Sequence, residues 1–187
     1  MAERVCPWWM GRLLLNPWRQ WRMQPERLLE PYVRAGMTVL EPGPGMGFFT
    51  LTLARLVGAQ GRVIAVDLQP KMLEGLRRRA QRAGLAERIE TRVAGSDSLG
   101  IGDLAVGVDF VLASAVVHEV PPVERFFEEI ASVLRPGGAI LLAEPKGHVT
   151  EEKFAGELRA ADGAGLQVVS HPALRGSLTA VLRRPVA

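Results

Sequence analysis

From Thr38 onward, short apolar runs alternate with longer stretches in which apolar residues recur every three or four positions. The runs are Thr38 to Glu41, Arg62 to Asp67, Ile89 to Val93, Asp109 to Ser114 and Ala139 to Glu144. Four of them are nearly all apolar, the pattern of strands buried on both faces of a parallel sheet. Between them, Met72, Leu73, Leu76, Ala80 and Ala83 keep helical spacing, as do Val123, Phe126, Phe127, Ile130, Val133 and Leu134. Gly84 closes the first helix and Pro136-Gly137-Gly138 the second. This alternation predicts a doubly wound α/β fold. Near the C-terminus, Thr150 can cap a helix whose first turn holds Glu151 and Glu152. Leu166 to Ser170 and Leu178 to Leu182 then read as two strands joined through Pro172 and Gly176, a closing hairpin. At the other end, Pro25 opens a helix with Leu28, Leu29, Tyr32 and Val33 on its apolar side.

The most informative stretch is Val39-Leu40-Glu41-Pro42-Gly43-Pro44-Gly45-Met46-Gly47. A buried strand ends in a carboxylate, glycines follow at every second position, and the apolar segment Phe48 to Val57 comes next. Glycines let the main chain approach a ligand where a Cβ would clash. About twenty residues on, the run Val63-Ile64-Ala65-Val66 ends in a second carboxylate, Asp67. An acid there can accept hydrogen bonds from the two hydroxyls of a ribose. Together these features describe a pocket for an adenosine-containing ligand. The dinucleotide fingerprint G-x-G-x-x-G fails in both registers, because Phe48 and Thr50 stand where its last glycine would fall.

The pattern E-x-G-x-G-x-G resembles instead the first motif of class I S-adenosylmethionine-dependent methyltransferases. Val133-Leu134-Arg135-Pro136-Gly137-Gly138, leading into the fifth strand, is also similar to that family, and the likeness runs from about residue 25 to residue 187. The resemblance implies a Rossmann-like, mostly parallel seven-stranded sheet with a C-terminal antiparallel hairpin, and S-adenosyl-L-methionine as cofactor. It places Glu41 and Gly43 by the methionine tail, with Gly45 and Gly47 letting the loop close. It puts Asp67 on the ribose and Leu68 or Met72 against the adenine. Ser96 or Asp97 is the candidate for the adenine amino group, although Ser96 interrupts the usual Gly-Asp pair. Ala113 and Ser114 would line the pocket near the transferred methyl.

Methyl transfer needs alignment and exclusion of water, and only sometimes a base. The candidate acid–base residues sit at the carboxyl ends of the fourth and fifth strands, where ligands bind in open α/β sheets. They are His118, Glu119, Glu144, Lys146 and His148, of which His118, Glu144 and His148 are carried forward as catalytic candidates. Each has a plainer reading, as a pocket wall for His118 and as a hydrogen-bonded loop for Glu144 and His148.

The first 24 residues form a separate arm holding all four tryptophans, Trp8, Trp9, Trp18 and Trp21, ahead of a methyltransferase domain from 25 to 187. The arm reads as extra core, as a lid or substrate wall of the kind such segments form in related methyltransferases, or as a membrane-surface helix. The 187 residues suit a single domain, and the lone Cys6 rules out a disulfide framework and a cysteine metal cluster. A reducing cytoplasm fits. No apolar run is long enough to span a membrane and the N-terminus does not read as a signal peptide. Net charge is only +3, and Arg77, Arg78, Arg79 and Arg82 read as the solvated outer face of one helix. Without interleaved aromatics this cluster argues against nucleic acid.

Two absences narrow the chemistry further. No Asn-Pro-Pro-Tyr-like motif follows the fourth strand, which disfavours adenine and glutamine amino methylation. No cysteine lies near the pocket strands, which disfavours cytosine C5 methylation and arsenite methylation. No metal site is expected. The expected function is methyl transfer to a small-molecule acceptor, with a homodimer left open. A nucleotide-binding oxidoreductase and a non-catalytic cofactor-binding subunit are the alternatives.

Overall fold

The computed structural model describes residues 23–120 and 122–186, so nearly all of the tryptophan-rich arm, and with it the lid reading, lies outside the described residues. The chain divides into two compact units, with the boundary falling between Ala94 and Gly95 in the sequence. In the first, helix α1 (Pro25–Leu29) is followed by strand β1 (Thr38–Pro42), helix α2 (Thr50–Leu56), strand β2 (Arg62–Asp67), helix α3 (Pro70–Arg82) and strand β3 (Ile89–Val93). Both β1 and β3 pair in parallel with β2, with Leu40 opposite Ile64 and Ala65 opposite Thr91. The second unit holds strand β4 (Val108–Ser114), helix α4 (Val123–Val133), strand β5 (Leu134–Pro145), helix α5 (Glu151–Gly163), strand β6 (Gln167–Ser170) and strand β7 (Ser177–Arg183). There β4 and β5 are parallel, whereas β7 runs antiparallel to both β5 and β6. The seven strands take the order β3-β2-β1-β4-β5-β7-β6. This is the predicted doubly wound, mostly parallel sheet closed by an antiparallel hairpin.

The apolar runs explain the burial. Val63 to Val66 on β2 and Phe110 to Ala113 on β4 are buried along their whole length, as double-sided strands must be. Helix α3 turns Met72, Leu73, Leu76 and Ala80 inward and leaves Arg77, Arg78 and Arg82 exposed. Helix α4 buries Phe126, Phe127, Ile130 and Val133, the 3-and-4 spacing visible in the sequence. Helix α5 starts as expected, with the Thr150 hydroxyl accepting from the Lys153 N–H at 3.2 Å.

Three boundaries differ from the sequence reading. Helix α1 stops at Leu29, so Tyr32 and Val33 follow it in a turn, although Val33 is still buried. Helix α2 begins only at Thr50, because the positive-φ glycine turn before it occupies the positions that looked helical. Strand β5 begins at Leu134 rather than after the glycine pair: Leu134 pairs with Val108, and the register then slips so that Ala139 meets Phe110. The surplus residues form an excursion through Pro136-Gly137-Gly138. A Cβ on Gly138 would lie 2.8 Å from the Arg135 carbonyl oxygen.

Truncating Leu112, fully buried on β4, to alanine is expected to lower the unfolding free energy by about 2–5 kcal/mol. Val168→Ala on β6, where the side chain is 41% exposed, is expected to stay within about 0.5 kcal/mol. Urea denaturation of the two variants checks this contrast.

Candidate active site

Strands β1, β2 and β5 each deliver a carboxylate at or next to their carboxyl end, and the glycine turn after β1 shows why. The strand is apolar until Glu41, then Gly43 donates its N–H to the Val66 carbonyl at 2.8 Å and turns the chain over the end of β2. Gly45 (φ +55°) carries its Cα face toward open space, with nothing within 4 Å of an added Cβ. At Gly47 (φ +83°) a Cβ would collide with the Leu76 Cδ1 methyl of α3. The first of these glycines leaves room for a ligand and the second lets the loop lie flat on a helix.

Asp67, the last residue of β2, organises this turn. Its Oδ2 accepts the Gly45 N–H at 3.1 Å and its Oδ1 accepts the Gln69 N–H at 2.8 Å. It is buried rather than a solvated cap, and burial raises its pKa against the opposing pull of those two backbone donors. Glu41 is more extreme. It is 3% exposed, and its Oε2 has no hydrogen-bond partner among the described residues. Burial pushes its pKa up to about 8, with the neighbouring Asp67 charge adding to the rise and the Thr50 hydroxyl opposing it. A buried carboxyl of this kind is primed for a cationic partner. Leu68, just beyond, is 43% exposed, whereas Met72 is buried in the α3 core.

The arginine row on α3 is not uniformly an outer face. Arg79 turns inward and donates from one guanidinium nitrogen to the carbonyls of Met46, at 2.5 Å, and Gly47, at 2.9 Å. It thus ties the glycine turn to the helix one turn beyond Leu76. Helical spacing grouped Arg79 with its neighbours, but only the loop's return path brings two carbonyl oxygens within its reach.

The second cluster lies after β4 and β5. Ala115 follows β4 in the left-handed region (φ +54°), a conformation that costs a residue with a Cβ about 1–2 kcal/mol. The turn lets the N–H groups of Val116 and Val117 both donate to Glu144 Oε1 at 3.0 Å. The other oxygen of Glu144, fully buried on β5, is bonded to His118 Nδ1. A carboxylate on Nδ1 fixes the proton there and leaves Nε2 as the ring nitrogen able to accept one. That hydrogen bond raises the His118 pKa, against the effect of burial, and the charges of Glu144, Glu119 and Glu157 add to it. His118 Nε2 lies 3.9 Å from Glu119 Oε1, and the His148 ring sits edge-on at 5.7 Å between centroids. The separate candidates His118, Glu144 and His148 are therefore one assembly, while Lys146 is exposed.

Sequence spacing missed Glu157 on α5. It lies in the buried stripe between Phe154 and Ala161, and polar residues in such a stripe look like surface when read by composition alone. Ser96 and Asp97 are exposed, and Asp97 pairs with Arg125 at 3.2 Å. Ala113 is fully buried and Ser114 partly so. Among the described residues, no group of three His, Cys, Asp or Glu could hold a metal ion.

Residues 40–142, more than half of the chain, match the family described as a methyltransferase domain. The chain belongs to that family, with the fold of the class I S-adenosylmethionine-dependent methyltransferases. A solved S-adenosylmethionine-dependent methyltransferase from Aquifex aeolicus superposes with a TM-score of 0.82 at 24% identity, covering 95% of this chain and 100% of that one. Among curated relatives, an arsenite methyltransferase of Halobacterium salinarum is 36% identical over 58% of this chain and 27% of its own length. The ubiquinone/menaquinone biosynthesis C-methyltransferase UbiE of Klebsiella pneumoniae is 32% identical over 60% of this chain and 44% of its own. A ribosomal protein L11 methyltransferase of Pelotomaculum thermopropionicum is 35% identical over 76% and 42%. The chain thus spans less than half the length of each of these curated relatives.

Two outcomes follow from the geometry. Arg79→Met is expected to lower the unfolding free energy by about 1.5–3 kcal/mol, the range for hydrogen bonds to charged groups, while Arg78→Met changes it by less than about 0.5 kcal/mol. Denaturant titration separates them. The second concerns pH. In the folded chain Glu41 keeps its proton up to about pH 8, whereas a glutamate in water loses it near 4.5. Its contribution to stability is therefore fully present below pH 4.5 and lost as pH rises through 8. Glu41→Gln is expected to remove this share of the decline, so the variant gains stability relative to the wild type between those limits. Denaturation at a series of pH values measures the difference, and parallel curves would rule it out.

Proposed function

We propose that this protein transfers a methyl group from S-adenosyl-L-methionine to a small-molecule acceptor, mainly by holding the two in register. The observation that carries the reading is the buried Glu41 carboxyl, partnerless at Oε2 beside a glycine turn tied to Asp67. These residues fit the cofactor's chemistry: an ammonium would satisfy Glu41, the open Cα face of Gly45 admits a ligand, and Asp67 has lone pairs left for ribose hydroxyls. When bound, the cofactor supplies a methyl activated on a sulfonium.

The chain's own groups do the rest. Glu41 would ionise on meeting the ammonium, because an opposite charge nearby reverses the effect of burial. Asp67 would orient the nucleoside, with Leu68 on the adenine and Ser96 or Asp97 at its amino group. His118, set by Glu144, would take a proton from the acceptor at Nε2, with His148 beside the ring. Glu144 is a positioning residue in this scheme, and orientation supplies much of the rate.

Among the described residues, no helix is long and apolar enough to cross a membrane. The cytoplasmic setting and a homodimer belong to the same proposal. Nothing in the family match favours a nicotinamide oxidoreductase or a non-catalytic subunit.

Titration calorimetry with S-adenosylhomocysteine, S-adenosylmethionine and NAD tests the reading. The adenosyl ligands are expected to bind and NAD to give no heat. Asp67→Ala is expected to cost about 1.5–3 kcal/mol of affinity, roughly a 10- to 150-fold rise in Kd. His118→Ala is expected to leave that Kd within about twofold. Binding of NAD alone, or of nothing, would overturn the proposal.

A further inference from the structure

Glu157 is an expensive residue to keep where it is. It is 5% exposed on α5, and its Oε2 has no hydrogen-bond partner among the described residues. Burying an acid without a partner costs stability, and neither the cofactor contacts nor the sheet uses this one. Phe154 and Ala161 flank it on the buried stripe, where a leucine would pack better.

Its surroundings indicate what it is for. Glu157 feels the charges of Glu144, which pushes its pKa up, and of His118 and Lys153, which pull it down; burial is the largest effect and carries it to about 8. Two acids thus stand at the His118 imidazole, and the charge of a third, Glu157, reaches it. Glu144 comes from β5 and bonds Nδ1, Glu119 lies 3.9 Å from Nε2, and Glu157 comes from α5. The other titratable groups facing them are His148, edge-on to His118, and Lys153, one turn before Glu157. Glu144 is already saturated by two backbone donors and the imidazole. Glu157 is the acid with an oxygen to spare.

We propose that Glu157 and His118 form the acceptor end of this site and that the acceptor is an amine, bound as its ammonium with an N–H donated to Glu157 Oε2. This rests on the methyltransferase reading above and narrows it to a substrate class. Two carboxylates and a buried acid that ionises beside a cation favour an ammonium over a carboxylate or phenolate. Arrival of the ammonium lets Glu157 release its proton to solvent and ionise, as an opposite charge does for any buried acid. The ammonium gives one proton to His118 Nε2, and the freed nitrogen lone pair forms the N–CH3 bond. The C–S bond breaks with its electron pair left on sulfur, which neutralises the sulfonium. An alkylammonium and an imidazole ordinarily differ by about 4 pK units. The Glu144 hydrogen bond raises His118 and so narrows that gap. After transfer the imidazolium returns its proton to water.

The test uses the full chain with its histidines carbon-13 labelled, the His118 resonances being assigned with His118→Gln. n-Butylamine, n-butanol and butyrate are titrated in turn, both with S-adenosylhomocysteine present and without it. The amine is expected to shift the His118 signals and to bind at least tenfold more tightly than the alcohol or the acid. Glu157→Gln is expected to weaken amine binding about tenfold while leaving the S-adenosylhomocysteine Kd unchanged. Its melting temperature is expected to match or exceed that of the wild type, since a buried acid is removed, so loss of amine binding cannot be assigned to unfolding. Equal affinity for the three probes, absence of binding, or amine binding untouched by Glu157→Gln would overturn the proposal. Failure of S-adenosylhomocysteine to bind the wild type would instead count against the methyltransferase reading, and the preference among the three probes would still be read in its absence.

Discussion

Strands β1, β2 and β4 and the carboxyl half of β5 are buried nearly throughout, and this constraint shapes the rest of the molecule. A strand covered by helices on either side cannot carry a polar side chain along its length without leaving it unsatisfied. Three acids accordingly stand at the last residues of their strands. Glu41 is next to last in β1, Asp67 is last in β2, and Glu144 is next to last in β5. At the carboxyl ends, turns bring backbone N–H groups that can pay the desolvation cost. Asp67 and Glu144 each take two such donors, from Gly45 and Gln69 and from Val116 and Val117.

Glu41 and Glu157 are the exceptions, and they are alike. Each has a buried oxygen with no partner, and burial lifts each pKa to about 8. A protein that satisfies two neighbouring acids so fully does not leave two others wanting for lack of donors. In the proposals made above, each takes a ligand's cation as its partner, and the instability it introduces accompanies a preformed charge receptor.

The local backbone is equally purposeful. Ala115 accepts a left-handed conformation so that two successive amides face one oxygen of Glu144. Arg79 is drawn out of an otherwise solvated arginine row to hold the loop carbonyls of Met46 and Gly47. In both cases a residue of ordinary type is made special by what the chain returns to meet it.

The order of strands and helices was legible in the sequence, because double-sided burial writes continuous apolar runs and one-sided burial writes 3.6-residue spacing. Glycines at alternate positions after an acidic strand end disclosed the turn, and with it Glu41 and Asp67, since positive φ and close approach leave few other choices. What the sequence alone could not determine was pairing over distance. That His118 and Glu144 are hydrogen-bonded, that Arg79 faces inward, and that Glu157 is buried where the charges of His118 and Glu144 act on it depend on residues 26, 33 and 13 or more positions apart in the chain. Composition marks all of these as surface-type residues. Only the folded chain excludes water from them, and exclusion of water turns an ordinary acid into a raised, partner-seeking one.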